Sequence, residues 1–393
     1  MAISLLFLIW ILMIFAAAAL LPHLIPYLGF FPYGQILTQF QLPHFVSSLA
    51  NFDGVHYILI ARNGYVQYEQ AFFPFYPLLI RLISPLLGKN HLLTGLIISN
   101  IFFFAALMIL SRYLRLIGLK SPSFEYLIFN ENLRLQIPSY IFWTIIFLLI
   151  FPGSFFFSAV YTEGLFLFLM ITTLYFLEKD QCQPAIVFGF LSSLTRITGL
   201  LLAIPIALKL INEVKKKHVV NCRLLIALFS PLLGLSTYCL YLWRTTGDPL
   251  CFFHSLPAFG TQRSTALILL PQVYYRYLKI ILTAAPNFQY FISCLEVIIF
   301  SLVFFVLLKD LFSLLKKNYS PLLGLNLFSL ANILLPTFTG SFSSIPRYSL
   351  MSLSFFIALA RLKNSSVKIA LALIFGIVNL ILLGFFIQGY FVS

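Results

Sequence analysis

The run Ile3-Ser-Leu-Leu-Phe-Leu-Ile-Trp-Ile-Leu-Met-Ile-Phe-Ala-Ala-Ala-Ala-Leu-Leu21 decides the fold class. It carries no charged side chain, and as a helix it extends about 28 Å, close to the ~30 Å of bilayer hydrocarbon. Comparable apolar runs recur to the far end of the chain, at 91–111, 224–243, 291–308 and 367–388. Of the 393 residues, 61% are apolar and 9% charged, against about 25% charged in a soluble domain. A water-facing globule, a disordered chain, a coiled coil and a disulfide scaffold are thereby excluded. The weak alternation of a membrane β-barrel is absent. The chain is expected to be an all-α polytopic membrane protein.

Working outward from that run, hydropathy predicts eleven helices, at 3–21, 91–111, 139–152, 160–177, 184–195, 198–211, 224–243, 291–308, 321–338, 348–361 and 367–388. The shorter ones are expected to be broken or half-crossing helices lining a cavity, where irregular backbone is tolerated at membrane depth. With a cytoplasmic N-terminus, sixteen basic residues fall in inner loops and nine on the outer side, which favours that orientation. The first run lacks a basic leader and a small-residue cleavage site, so it reads as a retained span. A single membrane domain over 1–393 is expected. Its two long outer loops, 22–90 and 244–290, exceed what a connector needs and are expected to bear short amphipathic helices and function. Asn318-Tyr-Ser and Asn364-Ser-Ser match the glycosylation sequon, but both fall on the inner side.

The net charge of +14 is a topology signal carried by loops, and nucleic acid is not an expected partner. Five cysteines, Cys182, Cys222, Cys239, Cys251 and Cys294, show no metal-ligand or CxxC spacing and read as small apolar fillers. No DxD, P-loop, GxGxxG or HExxH string is present, so a metal-bound nucleotide-sugar donor is disfavoured. No cofactor is expected. A divalent ion is not indicated by any motif, although Asp53, Glu163 and Asp248 are carboxylates able to converge on one.

Charges beside a membrane core mark function by default. On the outer side the carboxylates are Asp53, Glu69, Glu163 and Asp248, with Glu296 just inside a span. The densest constellation is Asn51-Phe-Asp-Gly-Val-His-Tyr-Ile-Leu-Ile-Ala-Arg-Asn-Gly-Tyr65. As a short helix from Asp53 to Ala61 it places Asp53, His56 and Tyr57 on one face, while Phe52, Val55, Leu59 and Ile60 can dip into the membrane interface. A carboxylate so placed can take a proton from an acceptor hydroxyl. The plainer reading is an N-cap. Plainer roles also exist for the others: a partner for Glu163 at Arg196, a snorkelling anchor at Arg347, a solvated face for His254 and Arg263, and a helix cap for Glu163. Arg62 and Glu69 read as surface residues.

The string D-x-x-H-[FY]-x-x-I-A-x-x-G-Y from Asp53 to Tyr65, followed by Ala71-Phe-Phe-Pro-Phe-Tyr-Pro-Leu78, resembles the PIG-V family. Its eukaryotic members add the second mannose to glycosylphosphatidylinositol, and it has prokaryotic relatives. Phe151-Pro-Gly-Ser-Phe-Phe-Phe-Ser-Ala-Val-Tyr-Thr-Glu163, Thr195-Arg-Ile-Thr-Gly-Leu200 and Ile345-Pro-Arg-Tyr348 are similar to later blocks of the family. Where the family usually has Trp before the aspartate, this chain has Phe52.

The resemblance implies a GT-C glycosyltransferase fed by a polyprenyl- or dolichyl-phosphate sugar, with mannose as the sugar and a lipid-linked or glycan acceptor. It implies chemistry on the extracytoplasmic face and inversion at the sugar. Asp53 is then the general base. Arg347 and Arg196, followed by His56, His254 and Arg263, are the candidates for the donor phosphate. Glu163, Tyr57, Tyr65, Tyr161 and Tyr348 are the candidates for acceptor and sugar contacts. A prokaryotic plasma membrane is the expected location, or the endoplasmic reticulum with a lumenal site in a eukaryote. The rival reading is a polytopic lipid or glycan transporter, which predicts repeat symmetry and charges at the midplane; the charges here cluster toward one face.

Overall fold

The computed structural model describes all residues except 29–33, 119–123, 131–132, 220, 260–263, 265, 317–319 and 393, together with the side chains of 124–130, 133–136 and 217. The helices in chain order begin with α1 (Ala2–Leu20), α2 (Gly34–Thr38), α3 (His44–Ser47), α4 (Asp53–Asn63), α5 (Phe75–Ile83) and α6 (His91–Leu116). A hairpin of β1 (Phe124–Asn130) and β2 (Leu133–Pro138) follows. Then come α7 (Ser139–Ile150), α8 (Glu163–Glu178), α9 (Cys182–Thr195), α10 (Ala203–Lys217), α11 (Cys222–Thr246), α12 (Cys251–His254) and α13 (Leu270–Thr283). The chain continues through α14 (Phe288–Leu315), α15 (Pro321–Thr337), α16 (Ile345–Ser349), α17 (Leu353–Ala360) and α18 (Ser365–Ile387).

The protein is an all-α polytopic membrane protein. Among the described residues, six segments, beginning at Ala2, His91, Ile197, Cys222, Phe288 and Ser365, are long and apolar enough to cross a bilayer. Helix dominates because a backbone in hydrocarbon must satisfy its hydrogen bonds within its own element. Outward-facing Leu8, Leu12, Ile101, Leu233, Phe305, Phe312, Leu373 and Ile377 are all exposed, the reverse of a soluble surface and suited to lipid contact. Helix starts are capped from the sequence: the side chains of Asn90, Asn221, Asn287, Ser320 and Asn364 accept from backbone N–H groups of α6, α11, α14, α15 and α18. The sequon residue Asn364 is therefore a helix cap, and Asn318 lies outside the described residues. Among the described residues no disulfide joins the cysteines.

Three expectations need correction. The segment expected as one helix over 348–361 is α16 and α17, interrupted at 350–352. The helix expected from 160 begins at Glu163, because 160–162 continue an irregular, wholly buried loop. The loop before α7 contains the antiparallel hairpin, with Phe124 opposite Pro138. Its aromatic and β-branched residues favour strand, a signal submerged by the surrounding helical hydropathy.

The chain forms two compact units. The first comprises Met1–Gly64, Tyr76–Gln181 and Phe356–Phe391. Here α6 and α8 approach closely through Gly164, where an added Cβ would lie 2.5 Å from the Ser99 carbonyl oxygen and 3.2 Å from Phe103 Cβ. Small residues permit such contact between membrane helices. Phe103 stacks on Phe157 at 4.0 Å between ring centroids, and Phe151 packs edge-on against Phe356 and Phe375. The second unit comprises Tyr65–Phe75, Cys182–Phe355 and the last two residues. Phe73, Tyr238, Leu242 and Phe252 form one of its apolar clusters. Its buried polar ties are specific: Asn326 Nδ2 on α15 donates to the Leu307 carbonyl of α14 at 3.1 Å and to Asp310 at 3.3 Å, and the Ser354 hydroxyl of α17 donates to the same carboxylate at 3.1 Å.

Candidate functional site

In the first unit the sequence motif folds as a helix preceded by a constrained turn. Helix α4 runs from Asp53 to Asn63, as its spacing predicts. The cap position, however, is Phe52, with φ 58° and ψ −117° and no side-chain cap bond. Asp53 is the first helical residue, so the N-cap reading of this carboxylate does not hold. A bulky residue at positive φ is held there only by its surroundings, and those surroundings are visible. Asn51 Nδ2 donates to the Phe386 carbonyl at 2.9 Å. The Tyr161 hydroxyl donates to the Asn51 carbonyl at 2.8 Å. The Phe52 ring packs against Phe386 and Phe391.

The loop 151–162 supplies the other wall of this turn. The Val160 N–H donates to the Leu49 carbonyl at 3.0 Å, and a Cβ at Gly54 would sit 3.2 Å from the Val160 oxygen. Gly153 N–H donates to Asn379 Oδ1 at 3.1 Å. A chain of hydrogen bonds then runs from the Tyr161 carbonyl to Ser99 Oγ at 3.0 Å and on to the Tyr76 hydroxyl at 2.7 Å. Tyr76 meets Tyr57 edge-to-face at 5.2 Å. Glu163 opens α8 at 1% exposure and acts electrostatically on the Tyr76 hydroxyl. Asp53, His56, Tyr57, Tyr161 and Glu163 are thus assembled in one unit, with Asp53 and His56 half-buried and the other three buried. Two expectations fail: Val55 and Ile60 are inside the protein, at 0% and 4% exposure, where a membrane-interface position was expected, and Glu69, expected at the surface, is buried at 3% exposure.

Tyr161 therefore props the turn. Replacing it by phenylalanine leaves a buried carbonyl without this donor, a loss of about 1–3 kcal/mol. A lowered unfolding temperature in detergent is expected, and an unchanged one would remove Tyr161 from the support of Asp53.

The remaining candidates belong to the second unit. The Arg196 guanidinium lies over the Tyr348 ring, 5.1 Å from its centroid. Arg347 and Tyr348 sit on α16, and Asn332 donates to the Tyr348 carbonyl at 2.8 Å. The Tyr65 hydroxyl donates to the Phe72 carbonyl at 2.7 Å while its ring leans on Tyr238 and Tyr241. Arg263 lies outside the described residues.

Glu296 has a partner set that hydropathy could not supply, although a carboxylate inside an apolar run is itself a signal. Tyr277 donates to its Oε2 at 2.8 Å and the Ser344 N–H to its Oε1 at 3.3 Å. The Phe342 N–H donates to the Tyr277 oxygen at 3.0 Å. Glu296 and Tyr277 so pin residues 342–344 immediately before α16. Beside the Glu296 carboxylate, and in a buried position, the Tyr277 phenol is pushed above its ordinary range, desolvation being the larger cause.

His254, the last residue of the short helix α12, is exposed, and its Nδ1 lies 2.7 Å from Asp248 Oδ2. Asp248 also accepts from the Leu250 N–H at 2.9 Å. These bonds, the His254 one first, hold the Asp248 carboxyl below its ordinary range. A depressed carboxyl contributes stability above the ordinary aspartate pKa and loses it as pH falls through the lowered value. The side-chain carboxyl resonance of Asp248 is expected to titrate below ordinary aspartate, and to move back toward that range in His254→Ala. An unshifted midpoint in the native chain would contradict the contact.

Among the described residues, no three of His, Cys, Asp and Glu gather into a set able to hold a metal ion. Compared with known families, residues 5–245 match a family model described as mannosyltransferase (PIG-V). That is more than half of the chain, and it includes every candidate of the first unit, with Tyr65 and Arg196. No curated protein matches the chain.

Proposed function

The chain belongs to the PIG-V mannosyltransferase family, and on that premise we propose that it is a GT-C enzyme moving mannose from a polyprenyl- or dolichyl-phosphate donor to a lipid-linked or glycan acceptor. Asp53 acts as general base on the extracytoplasmic face of a prokaryotic plasma membrane. As the acceptor oxygen attacks C1 of the sugar, its proton passes to the Asp53 carboxylate. The C1–O bond to the lipid phosphate breaks, the phosphate leaves with the bonding pair, and the configuration at C1 inverts. His56 and Tyr57 share the α4 face with Asp53 and are assigned to contacts around the reacting sugars, with Glu163 behind them.

The observation that supports this reading most is the turn at Asn51–Asp53. A strained phenylalanine, tied from two sides, fixes the backbone of the one half-buried carboxylate that opens the motif helix. Strain of this kind persists where a side chain must be aimed.

The test uses purified protein in lipid with tritiated mannose on polyprenyl phosphate, and in parallel on a guanosine diphosphate carrier, with a crude lipid-glycan extract as acceptor source. Label is expected to move from the polyprenyl donor only, and the new linkage to have the opposite anomeric configuration. Transfer from the nucleotide donor, or retention of configuration, overturns the proposal.

A further inference from the structure

Within the first unit, at the far end of α4 from Asp53, lies an open cavity of about 770 Å³ with a markedly basic lining. Arg62, Arg81, Lys89 and His91 all line it, and no carboxylate does. Its α4 lining residue Arg62 lies nine positions beyond Asp53, about 14 Å along the helix at 1.5 Å per residue.

The local structure shows why the cavity stays positive. The C-terminal carbonyls of α4 would add negative charge, but Arg81 donates to the Ala61 carbonyl at 2.7 Å and to the Ile60 carbonyl at 2.9 Å. That end of the helix dipole is offset. The opposite kind of helix end opens onto the cavity as well: Asn90 and His91, the cap and first residue of the long helix α6, belong to its lining. Lys89 is held at φ 59° with its N–H bonded to the Ser84 carbonyl at 2.8 Å, which fixes the lysine at the rim. Arg62 reaches the neutral Gln39 oxygen, at 3.5 Å. Both guanidinium groups act electrostatically on His91. Like charges gathered in a lining that holds no carboxylate are unfavourable unless an anion joins them.

We propose that this cavity binds a phosphoryl group, as carried by an anionic lipid headgroup or by free phosphate, with Arg62 and Lys89 as its ligands and Arg81 and the α6 N-terminus completing the positive field. The inference concerns binding alone and stands whether or not Asp53 catalyses transfer.

The test is native mass spectrometry of the full chain with three probes: dioleoyl phosphatidate, dioleoylglycerol and inorganic phosphate. Phosphatidate is expected to bind in preference to dioleoylglycerol. Arg62→Gln with Lys89→Gln is expected to weaken phosphatidate about ten- to a hundredfold and leave dioleoylglycerol unchanged. Displacement of phosphatidate by millimolar inorganic phosphate shows that the phosphoryl group alone suffices; failure to displace it assigns the site to the lipid. Equal phosphatidate binding by the native chain and the double variant overturns the proposal. A photoreactive phosphatidate on the native chain gives a reading free of any substitution: label at Gln39 or Pro85 supports the site, and label confined elsewhere overturns it.

Discussion

Asp53→Asn is expected to lower mannosyl transfer about a thousandfold, the middle of the range for a lost general base, with little change in the unfolding temperature. Asparagine has the shape of aspartate and cannot take up the acceptor proton. Asp53 sits at the first helical position, with the cap at Phe52, so the amide costs the helix little. The tethers of the turn run through Asn51 and Tyr161, and the substitution leaves them in place. Loss of transfer with an intact fold is therefore the signature of the base itself. Equal transfer by both proteins would reduce Asp53 to an ordinary first-turn acid. Asp53→Glu adds a discriminating step: it keeps the carboxylate and moves it by one methylene, so transfer is expected to fall between the native chain and Asp53→Asn.

Gly164→Ala is expected to produce the largest loss of stability among single methyl additions on α8. The new carbon would lie 2.5 Å from the Ser99 carbonyl oxygen, and backbone cannot swing away as a side-chain tip can. Helices α6 and α8 must separate, at about 1–3 kcal/mol for overpacking and more where the neighbours are rigid. Ser99 also carries the hydroxyl that joins Tyr161 to Tyr76, so the displacement reaches the support of the Asp53 turn. A fall of several degrees in unfolding temperature is expected, together with a fall in transfer. An unaltered melting curve would show that the two helices do not meet at this glycine.

Local chemistry made much of this molecule readable. The spans follow from hydropathy because hydrocarbon leaves a backbone few alternatives. Helix α4 follows from the spacing of Asp53, His56 and Tyr57, and the starts of α6, α11 and α18 carry asparagine caps in plain view. What eluded reading has long-range causes. The positive φ at Phe52 depends on Asn51 bonding to Phe386, separated by 335 positions. The burial of Val55 and Ile60 depends on where the folded chain places α4, so an apolar stripe suited to a lipid surface turns out to be packed in protein. The separation of α16 from α17 left no break in hydropathy. Arg62 and Lys89, read singly, are ordinary surface cations; they become a lining only when the chain folds back between α4 and α6.

The tether between Asn51 and the Phe386 carbonyl also has a temporal meaning. The ribosome releases the motif helix early and α18 late. During synthesis the turn before Asp53 lacks its partner, and nothing holds Phe52 in its strained conformation. That tether can form only after α18 has been made. Under the proposed mechanism, a chain stalled or cleaved before that point is expected to carry the entire D-x-x-H motif and remain inert, with α18 the element that completes it.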